Sequence, residues 1–359
     1  MTNRREFLLR TTIGGLAGSA GIELTQSADT RSTAHATSAA NRKVPNTDLT
    51  PSRIAYGTAM LLTDQRSADF IRTTATAMQT ALDNGITFFD LADVYGMGQS
   101  EAALGGLLKR QSGLRKAITI QSKCGIHIAS GWVPGDPVKD DSITIELSHR
   151  HILSAAEGTL KRLGTDYLDI LLLHGSDPLV RPAEVARAFD DLHSSGKVRY
   201  FGVSNHSALQ AELLGKYVKQ PLVVNQIQLS LAYYGALTTQ AGLGSLIDYC
   251  QLRELQVQAY SPLKGKDISA RPPLLNPAAN AAPQVVQAAQ SLAAIAESHG
   301  ASPAAVMLAW LLHHPAGIVP VIGASSPEHI ADNCRAIDVK LSDGEWNSLF
   351  RAAAGVQPA

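Results

Sequence analysis

The sequence predicts a single α/β domain, a (β/α)8 barrel with two extra helices, over residues 44–359. Short apolar runs alternate with longer stretches of helical period, which indicates parallel strands joined by helices. Eight such runs are present, and 359 residues with 45% hydrophobic content suffice for one barrel of about 250 residues or more. Six of the eight runs end in a polar or aromatic side chain, as expected where catalytic groups come from the carboxyl ends of barrel strands. A doubly wound sheet has a similar local pattern and is the alternative fold.

The predicted strands are short apolar runs bounded by polar or glycine residues. They lie near residues 54–57, 87–90, 118–123, 168–174, 198–204, 222–226, 257–260 and 318–322. Helical periodicity predicts helices over 67–84, 101–111, 149–163, 183–195, 209–219, 244–252, 303–313 and 327–337. Two further helical patterns, 284–299 and 343–354, are the helices beyond the minimal barrel.

Residues 1–43 differ in composition from the rest of the chain. Arg4 and Arg5 precede Phe7 and a Gly/Ala-rich apolar run, which resembles a twin-arginine signal, and 25–40 is rich in Ser, Thr and Ala like a linker. We expect a periplasmic or otherwise exported protein that meets the twin-arginine machinery, with a disordered basic tail on a cytoplasmic protein as the alternative. No apolar run reaches the roughly 18 residues that span a membrane, so we expect no membrane partner for the mature chain.

The charge balance excludes some partners. Lys plus Arg and Asp plus Glu each number 31, which gives no bulk attraction to nucleic acid. Cys124, Cys250 and Cys334 are far apart and form no C-x-x-C pair, so we expect no disulfide framework and no metal site. The oligomeric state is not readable from this pattern.

Four ionisable residues lie at the ends of predicted strands or just beyond them and form the candidate catalytic set: Asp90, Tyr95, Lys123 and His174. An ammonium near a phenol lowers the phenol's pKa, and a carboxylate holds the ammonium in place. An imidazole can donate a hydrogen bond to a carbonyl oxygen. Together these groups suit proton delivery to an oxygen whose carbon receives a hydride, so the sequence predicts carbonyl reduction.

Each of these residues also has a structural interpretation. Asp90 alone is typical of a helix or turn cap, and Lys123 alone of an ordinary strand end. Tyr95 before Gly96 is typical of a turn, and His174 after three leucines is typical of a satisfied core histidine. Their common position at the ends of predicted strands favours the catalytic interpretation.

Several stretches closely resemble the aldo-keto reductase superfamily, in the family's order over residues 48–340. They are FDLADVYG (89–96), QSKCG (121–125), LGTDYLDILLLH (163–174), GKVRYFGVSN (196–205) and QAYSPL (258–263). The sequence of residues 122–126, SKCGI, resembles that of a bacterial subgroup of oxidoreductases within this superfamily. The resemblance implies that Tyr95 is the proton donor, that Lys123 and Asp90 tune it, and that His174 orients the carbonyl.

The same resemblance implies an NADP(H) site at the barrel mouth, with NAD(H) as the alternative cofactor. Ser204, Asn205 and Gln226 would bind the nicotinamide carboxamide, and Tyr260 would stack on the ring. The loop over the pyrophosphate would begin with Ser261, Pro262 and Leu263, and a cover would follow over 264–283. The stretch IGASSPEHIADN (322–333) matches the adenosine end, where the implied residues are Gly323, Ser325, His329, Asp332 and Asn333. Gly323 replaces a frequent Lys and His329 a frequent Arg, which weakens the predicted contact with a 2′-phosphate.

The sequence thus predicts an NAD(P)(H)-dependent reductase of aldehydes or ketones. A nucleotide-binding regulatory protein on the same fold, as potassium-channel β subunits are, is the first alternative, and a phosphate-handling barrel lyase or isomerase is the second. Residues of the predicted loops that could line a partly apolar substrate pocket, or only pack the loops, are Met60, Leu61, Trp132, Tyr233 and Tyr234.

Overall fold

The structure, a computed structural model, describes residues 41–59, 70–128, 143–238, 245–266 and 272–354. The strands in chain order are β1 Ala55–Gly57, β2 Phe88–Asp90, β3 Thr119–Cys124, β4 Ile126–Ile128, β5 Ile143–Ile145, β6 Leu168–Leu173, β7 Val198–Ser204, β8 Leu222–Gln228, β9 Gln256–Tyr260 and β10 Val319–Ile322. Eight of them pair in parallel into a closed barrel in the order β1, β10, β9, β8, β7, β6, β3, β2. The predicted barrel is confirmed.

Eleven α-helices lie between or after the strands in the described part of the chain. They are α1 Phe70–Asp83, α2 Gln99–Arg110, α3 Leu114–Ala117, α4 His149–Leu163, α5 Pro182–Ser194, α6 Ala208–Gly215, α7 Leu246–Leu252, α8 Pro283–Ser298, α9 Pro303–His313, α10 Pro327–Cys334 and α11 Asp343–Ala353. The two helices predicted in addition to the eight of a minimal barrel correspond to α8 and α11. No helix in the described part of the chain is both long and apolar enough to cross a membrane.

Serine side chains fix where six helices begin. Each accepts a hydrogen bond from a backbone N–H in the first turn of its helix, which satisfies a donor that the helix itself leaves unpaired. These residues are Ser148, Ser207, Ser245, Ser302, Ser326 and Ser342. Gly164 ends α4 in the left-handed conformation at φ 65°, so both ends of α4 follow from local sequence signals.

Three local features differ from the prediction. The strands β4 and β5 form a separate antiparallel pair, and three-residue strands are too short for their period to be detected. Helix α3, with four residues, is likewise too short for its helical period to be detected in the sequence. Helix α6 ends at Gly215 instead of continuing to residue 219, because glycine is a poor helix former and an aromatic and a β-branched residue follow it closely.

The barrel interior contains an apolar cluster and a buried amide cluster. The apolar cluster includes Phe88, Ile170 and Val224, and it is extended by Val44 and Leu49 from the segment before β1. The amide cluster lies next to Asp90 and consists of Gln121, Gln226, Gln256 and Gln258, all at least 97% buried. A buried amide is costly unless it is hydrogen-bonded, so this cluster requires a complete set of partners.

Candidate active site

The barrel brings the four predicted catalytic residues together at the carboxyl ends of its strands. Asp90 is the last residue of β2, and Lys123 lies next to the end of β3. His174 directly follows β6, and its backbone N–H donates to the carbonyl oxygen of Cys124 at 2.8 Å. Tyr95 begins a short 3-10 turn after β2, held by a hydrogen bond from its N–H to the Ala92 carbonyl.

Lys123 joins Asp90 to Tyr95. Its fully buried Nζ atom donates to Asp90 Oδ2 at 2.7 Å, to the Leu91 carbonyl oxygen at 2.9 Å and to Tyr95 Oη at 3.2 Å. Burial lowers the pKa of Lys123, but Asp90 and Tyr95 raise it more, and the net pKa lies above its ordinary value. The ammonium therefore stays charged and paired at neutral pH.

Tyr95 stays a neutral phenol. Burial raises its pKa, and this effect outweighs the lowering by Lys123, while Asp90 raises the pKa further. The net shift is opposite to the one that the sequence argument expected, because that argument considered only the ammonium. A protonated phenol is the form that a proton donor requires, so the shift agrees with the predicted role.

His174 lies against Tyr95 with its ring edge-on. The two ring centroids are 5.5 Å apart at an interplanar angle of 79°. Burial, helped by the charge of Lys123, lowers the pKa of His174 well below its ordinary value, so the imidazole is neutral. Its Nδ1 atom is buried and has no hydrogen-bond partner in the described structure. A neutral imidazole carries one N–H, which suits orientation of a carbonyl oxygen.

The four residues predicted for the nicotinamide end also come together. Tyr260 Oη donates to Asn205 Oδ1 at 3.1 Å, and Asn205 Nδ2 donates to Ser204 Oγ at 3.1 Å. Asn205 has a positive φ of 57°, and its backbone N–H donates to the carbonyl oxygen of Gln226 at 2.9 Å. Gln226 differs from the expectation in one respect, because its Nε2 already donates to Asp90 Oδ1 at 3.0 Å.

Two polar side chains, one at the end of β8 and one two residues beyond it, hold the loop that begins at Ser261, Pro262 and Leu263. Gln228 Nε2 donates to the carbonyl oxygens of Gly265 at 2.8 Å and Lys266 at 3.2 Å. The buried Ser230 hydroxyl donates to the carbonyl oxygen of Lys264. Ser261 itself has a positive φ of 52°. The first part of the predicted cover is thus fixed to β8, while residues 267–271 lie outside the described residues.

The residues predicted for the adenosine end lie around the start of α10. Ser325 and His329 are exposed, Gly323 and Asp332 are partly buried, and Asn333 is buried. Asp332 Oδ2 accepts a hydrogen bond from Ser302 Oγ, which occupies one of its oxygens within the protein. Parallel pairing of β10 with β9 sets Val321 opposite Tyr260, so both halves of the predicted cofactor site share one edge of the barrel.

The predicted pocket residues divide into three groups. Met60, Leu61 and Trp132 lie outside the described residues. Tyr234 is buried with its ring 4.8 Å from that of Phe350, so it packs the loop. Tyr233 is partly exposed and lies close to Tyr260. The pKa of Tyr260 is raised mainly by burial, then by Tyr95 and then by Tyr233. Among these tyrosines, Tyr233 is the one placed near the site.

A second charged cluster lies beside Tyr95 and was not predicted as a unit. Glu101 is fully buried and accepts from Ser122 Oγ at 2.7 Å and from Arg162 Nε at 2.5 Å. Asp93 has one buried oxygen, Oδ1, without a partner, and burial together with Glu101 raises its pKa to about 7. Within the described residues, no group of His, Cys, Asp and Glu side chains is arranged to hold a metal ion.

Comparison with known proteins matches the whole barrel. A model of the family described as "Aldo/keto reductase family" matches residues 53–353. The uncharacterized oxidoreductase YcsN of Bacillus subtilis is 37% identical over 278 residues, covering 77% of this chain and 87% of that protein. The 6-dehydroglucose reductase of Agrobacterium fabrum is 36% identical over 282 residues, covering 79% of this chain and 88% of that protein. A crystal structure of an aldo-keto reductase from Klebsiella pneumoniae in complex with NADPH is 26% identical, with a TM-score of 0.65, covering 84% of this chain and 91% of that chain.

Proposed function

This chain belongs to the aldo/keto reductase family, and from that premise we propose that it reduces aldehydes or ketones to alcohols with NADP(H), using Tyr95 as proton donor. The observation that carries the proposal is the bonded set of Asp90, Lys123 and Tyr95 beside a neutral His174. A buried ion pair is expensive, and a barrel end that merely packs loops has no need of one. The oxidoreductase names of two relatives agree with this chemistry.

The donor set around Tyr260 fits a nicotinamide nucleotide. Ser204 and Asn205 offer hydroxyl and amide groups of the kind that bind a carboxamide, and Tyr260 presents a partly exposed ring beside them. The exposed Ser325 and His329 would receive a 2′-phosphate at the start of α10. A relative of 26% identity binds NADPH, which supports the choice of cofactor. When bound, NADPH supplies the hydride that reduces the carbonyl carbon.

Each residue of the set has a distinct task in the proposed reaction. The neutral imidazole of His174 orients the carbonyl oxygen through its single N–H. Tyr95 then gives its phenolic proton to that oxygen as the oxygen gains negative charge. The phenolate left behind is stabilised by the Lys123 ammonium, whose Nζ lies 3.2 Å from Tyr95 Oη. Asp90 keeps the ammonium in place and offsets its buried charge.

The proposal is tested by Tyr95→Phe under saturating NADPH with a panel of aldehydes, ketones and sugars, including 6-dehydroglucose, the substrate in the name of one relative. NADH is run in parallel. Loss of general acid catalysis should lower kcat by about 10²- to 10⁴-fold, while binding of NADPH stays unchanged. Tyr217→Phe, on an exposed tyrosine after α6, is the matched control and should keep wild-type turnover.

Two outcomes would contradict this proposal in different ways. Wild-type turnover by Tyr95→Phe would remove Tyr95 as the donor while leaving a reductase. Tight NADPH binding by the wild-type protein without turnover on the whole panel would favour the nucleotide-binding regulatory alternative instead.

We also propose that residues 1–43 direct export through the twin-arginine pathway to the periplasm or another exported location. The support is the Arg4–Arg5 pair, the following Phe7 and the uncharged apolar run. Residues 1–40 lie outside the described residues, so the boundary between this segment and the barrel at 43/44 stays a prediction. A reporter fused to residues 1–43 should leave the cytoplasm. The same fusion carrying Arg4→Lys and Arg5→Lys is the control and should stay in the cytoplasm. Retention of the fusion with the native Arg4–Arg5 pair in the cytoplasm would contradict export.

A further inference from the structure

Three buried glutamines and Asp90 form a closed ring of hydrogen bonds inside the barrel. Gln121 Nε2 donates to Asp90 Oδ1 at 2.6 Å and to Gln258 Oε1 at 2.7 Å. Gln226 Nε2 donates to the same two oxygens, at 3.0 Å and 2.9 Å. The ring thus alternates two amide nitrogens with two oxygens. Gln258 lies opposite Asp90 in the ring, and its hydrogen bonds are to Gln121, Gln226 and Gln256.

Every hydrogen of the two bridging amides is used in this ring. An amide nitrogen carries two hydrogens, and in Gln121 and Gln226 one goes to Asp90 while the other goes to Gln258. Gln258 Nε2 in turn donates to Gln121 Oε1 at 2.9 Å and to Gln256 Oε1 at 3.2 Å. The acceptor on Gln258 therefore determines which way both bridging amides face.

The ring distinguishes the two oxygens of Asp90. A carboxylate is nearly symmetric about its terminal torsion, so an unrestrained Asp90 could exchange Oδ1 and Oδ2. Two amide donors hold Oδ1, which leaves Oδ2 to the Lys123 ammonium at 2.7 Å. Because the same ammonium must also reach Tyr95 Oη at 3.2 Å, the position of Oδ2 determines how well Lys123 meets the phenol.

We propose that Gln258 is a positioning residue for carbonyl reduction, acting on Asp90 through Gln121 and Gln226. The inference rests on the proposed function and adds residues to it. Gln226 also belongs to the group predicted to bind the nicotinamide carboxamide, so the ring connects the cofactor side of the site to the Asp90–Lys123 pair. An interior that served only stability would do better with apolar side chains, as around Phe88 and Val224.

The test compares Gln258→Met with Gln256→Met in the full-length protein. Methionine has a similar size to glutamine and lacks its amide. Gln256 is a matched control because it is buried, lies two residues away on the same strand face and bonds to Gln258 but not to Asp90. Misplaced catalytic groups cost up to about 100-fold in rate, so we expect kcat to fall about tenfold or more for Gln258→Met. For Gln256→Met we expect a change of about twofold or less, and NADPH binding, followed by fluorescence, should be retained in both.

A second variant, Gln258→Glu, gives a readout that a packing role would not produce. A neutral carboxyl group keeps one acceptor and one donor for the ring, but the carboxylate has lost the donor for Gln121 Oε1 and adds a charge near Asp90. The ionisable groups connected to the ring are Asp90 and, through it, Lys123 and Tyr95. The kcat of Gln258→Glu relative to wild type at the same pH should therefore fall as pH rises from 5.5 to 9, whereas the ratio for Gln258→Met should stay flat.

Each result decides the matter. Wild-type kcat in both Gln258 variants at every pH, or an equal loss in Gln256→Met, would overturn the positioning role and leave the proposed reductase intact. Absence of turnover in the wild-type protein would remove the proposed function, and the positioning role with it. If Gln258→Met does not fold, the nearly isosteric Gln258→Glu decides through its pH-dependent ratio, and a flat ratio then counts against the inference.

Discussion

Asp93, two residues before Tyr95, should make the protein less stable as the pH rises from about 4 to about 7. Its Oδ1 atom is buried without a hydrogen-bond partner. Burial is the main cause that raises the pKa of Asp93 to about 7, the nearby Glu101 adds to it, and Arg162 offsets only part. The change that tests this is Asp93→Asn, which keeps the shape of the side chain and removes its charge.

The size of the effect follows from the two pKa values. Asp93 shifts from 3.8 in the free side chain to about 7 in the fold, and each unit corresponds to about 1.36 kcal/mol. Between those values the folded protein holds a proton that the unfolded chain has released, so folding stability falls as pH rises from about 4 to about 7 and then stays level. Between pH 5 and pH 8 the full shift gives about 2.7 kcal/mol, and we expect about 2 kcal/mol because Asp93 is partly exposed.

The assay is urea unfolding of wild type and Asp93→Asn at pH 5, 6, 7 and 8. The free energy of unfolding of the variant should exceed that of wild type by a margin that widens by about 2 kcal/mol between pH 5 and pH 8. Asp166→Asn, at an exposed position, is the control, and its margin should stay within about 0.5 kcal/mol. A margin for Asp93→Asn that is constant with pH, or that narrows as pH rises, would refute this reasoning.

Two further substitutions and one labelling experiment test other parts of the structure. A Cβ on Gly202 would lie 2.7 Å from Leu172 Cδ2 and 2.8 Å from the Val224 carbonyl oxygen, so Gly202→Ala should lower the free energy of unfolding by about 1 to 3 kcal/mol in urea. An unchanged urea midpoint would contradict that. His329→Arg supplies a permanent charge for a 2′-phosphate, so the Kd for NADPH at pH 8 should tighten about tenfold, or about 1.4 kcal/mol, while that for NADH stays constant. Equal shifts for both nucleotides would count against this placement of His329. Burial raises the pKa of Cys124 well above its ordinary value, so iodoacetamide at pH 8 should label it only after unfolding, as mass spectrometry of its peptide would show. Labelling of the folded protein at the rate of a free thiol would disagree.

The barrel could be predicted because its signals are local. Each barrel strand is a short apolar run with a polar or glycine boundary, and α4 carries both a serine at its start and Gly164 at its end. The pair β4 and β5 could not be predicted, because three residues show no period and their partner lies across a long connection. The end of α6 at Gly215 was missed because the hydrophobic period continues beyond this glycine, and propensity is a weak guide that the surrounding structure often overrides.

The candidate catalytic residues could be found because each lies at the end of a strand or shortly after it, and strand ends meet at one edge of a barrel. The direction of the Tyr95 pKa shift could not be predicted from the sequence, because burial of the phenol depends on the surrounding fold and outweighs the effect of Lys123. The same limit applies to the raised pKa of Asp93, because it depends on burial of its Oδ1 atom and on the nearby Glu101. Sequence spacing identified which groups meet but not how far water is excluded from them.

The amide ring carries a signal that is visible only once the inward positions of the strands are known. Gln121 lies two residues before Lys123, and Gln258 two residues before Tyr260, so each shares the inward face of its strand with a predicted site residue. Considered alone, an amide in a strand is typical of a solvated face, yet in a closed barrel of parallel strands an inward position has no contact with solvent. A polar residue two places before a predicted site residue is therefore buried by construction, and it must be bonded within the interior. Here Gln121 donates a hydrogen bond to Asp90, and Asp90 in turn accepts one from Lys123. The hydrogen bonds that offset the cost of burying the amides therefore also hold the Asp90 carboxylate in position for Lys123.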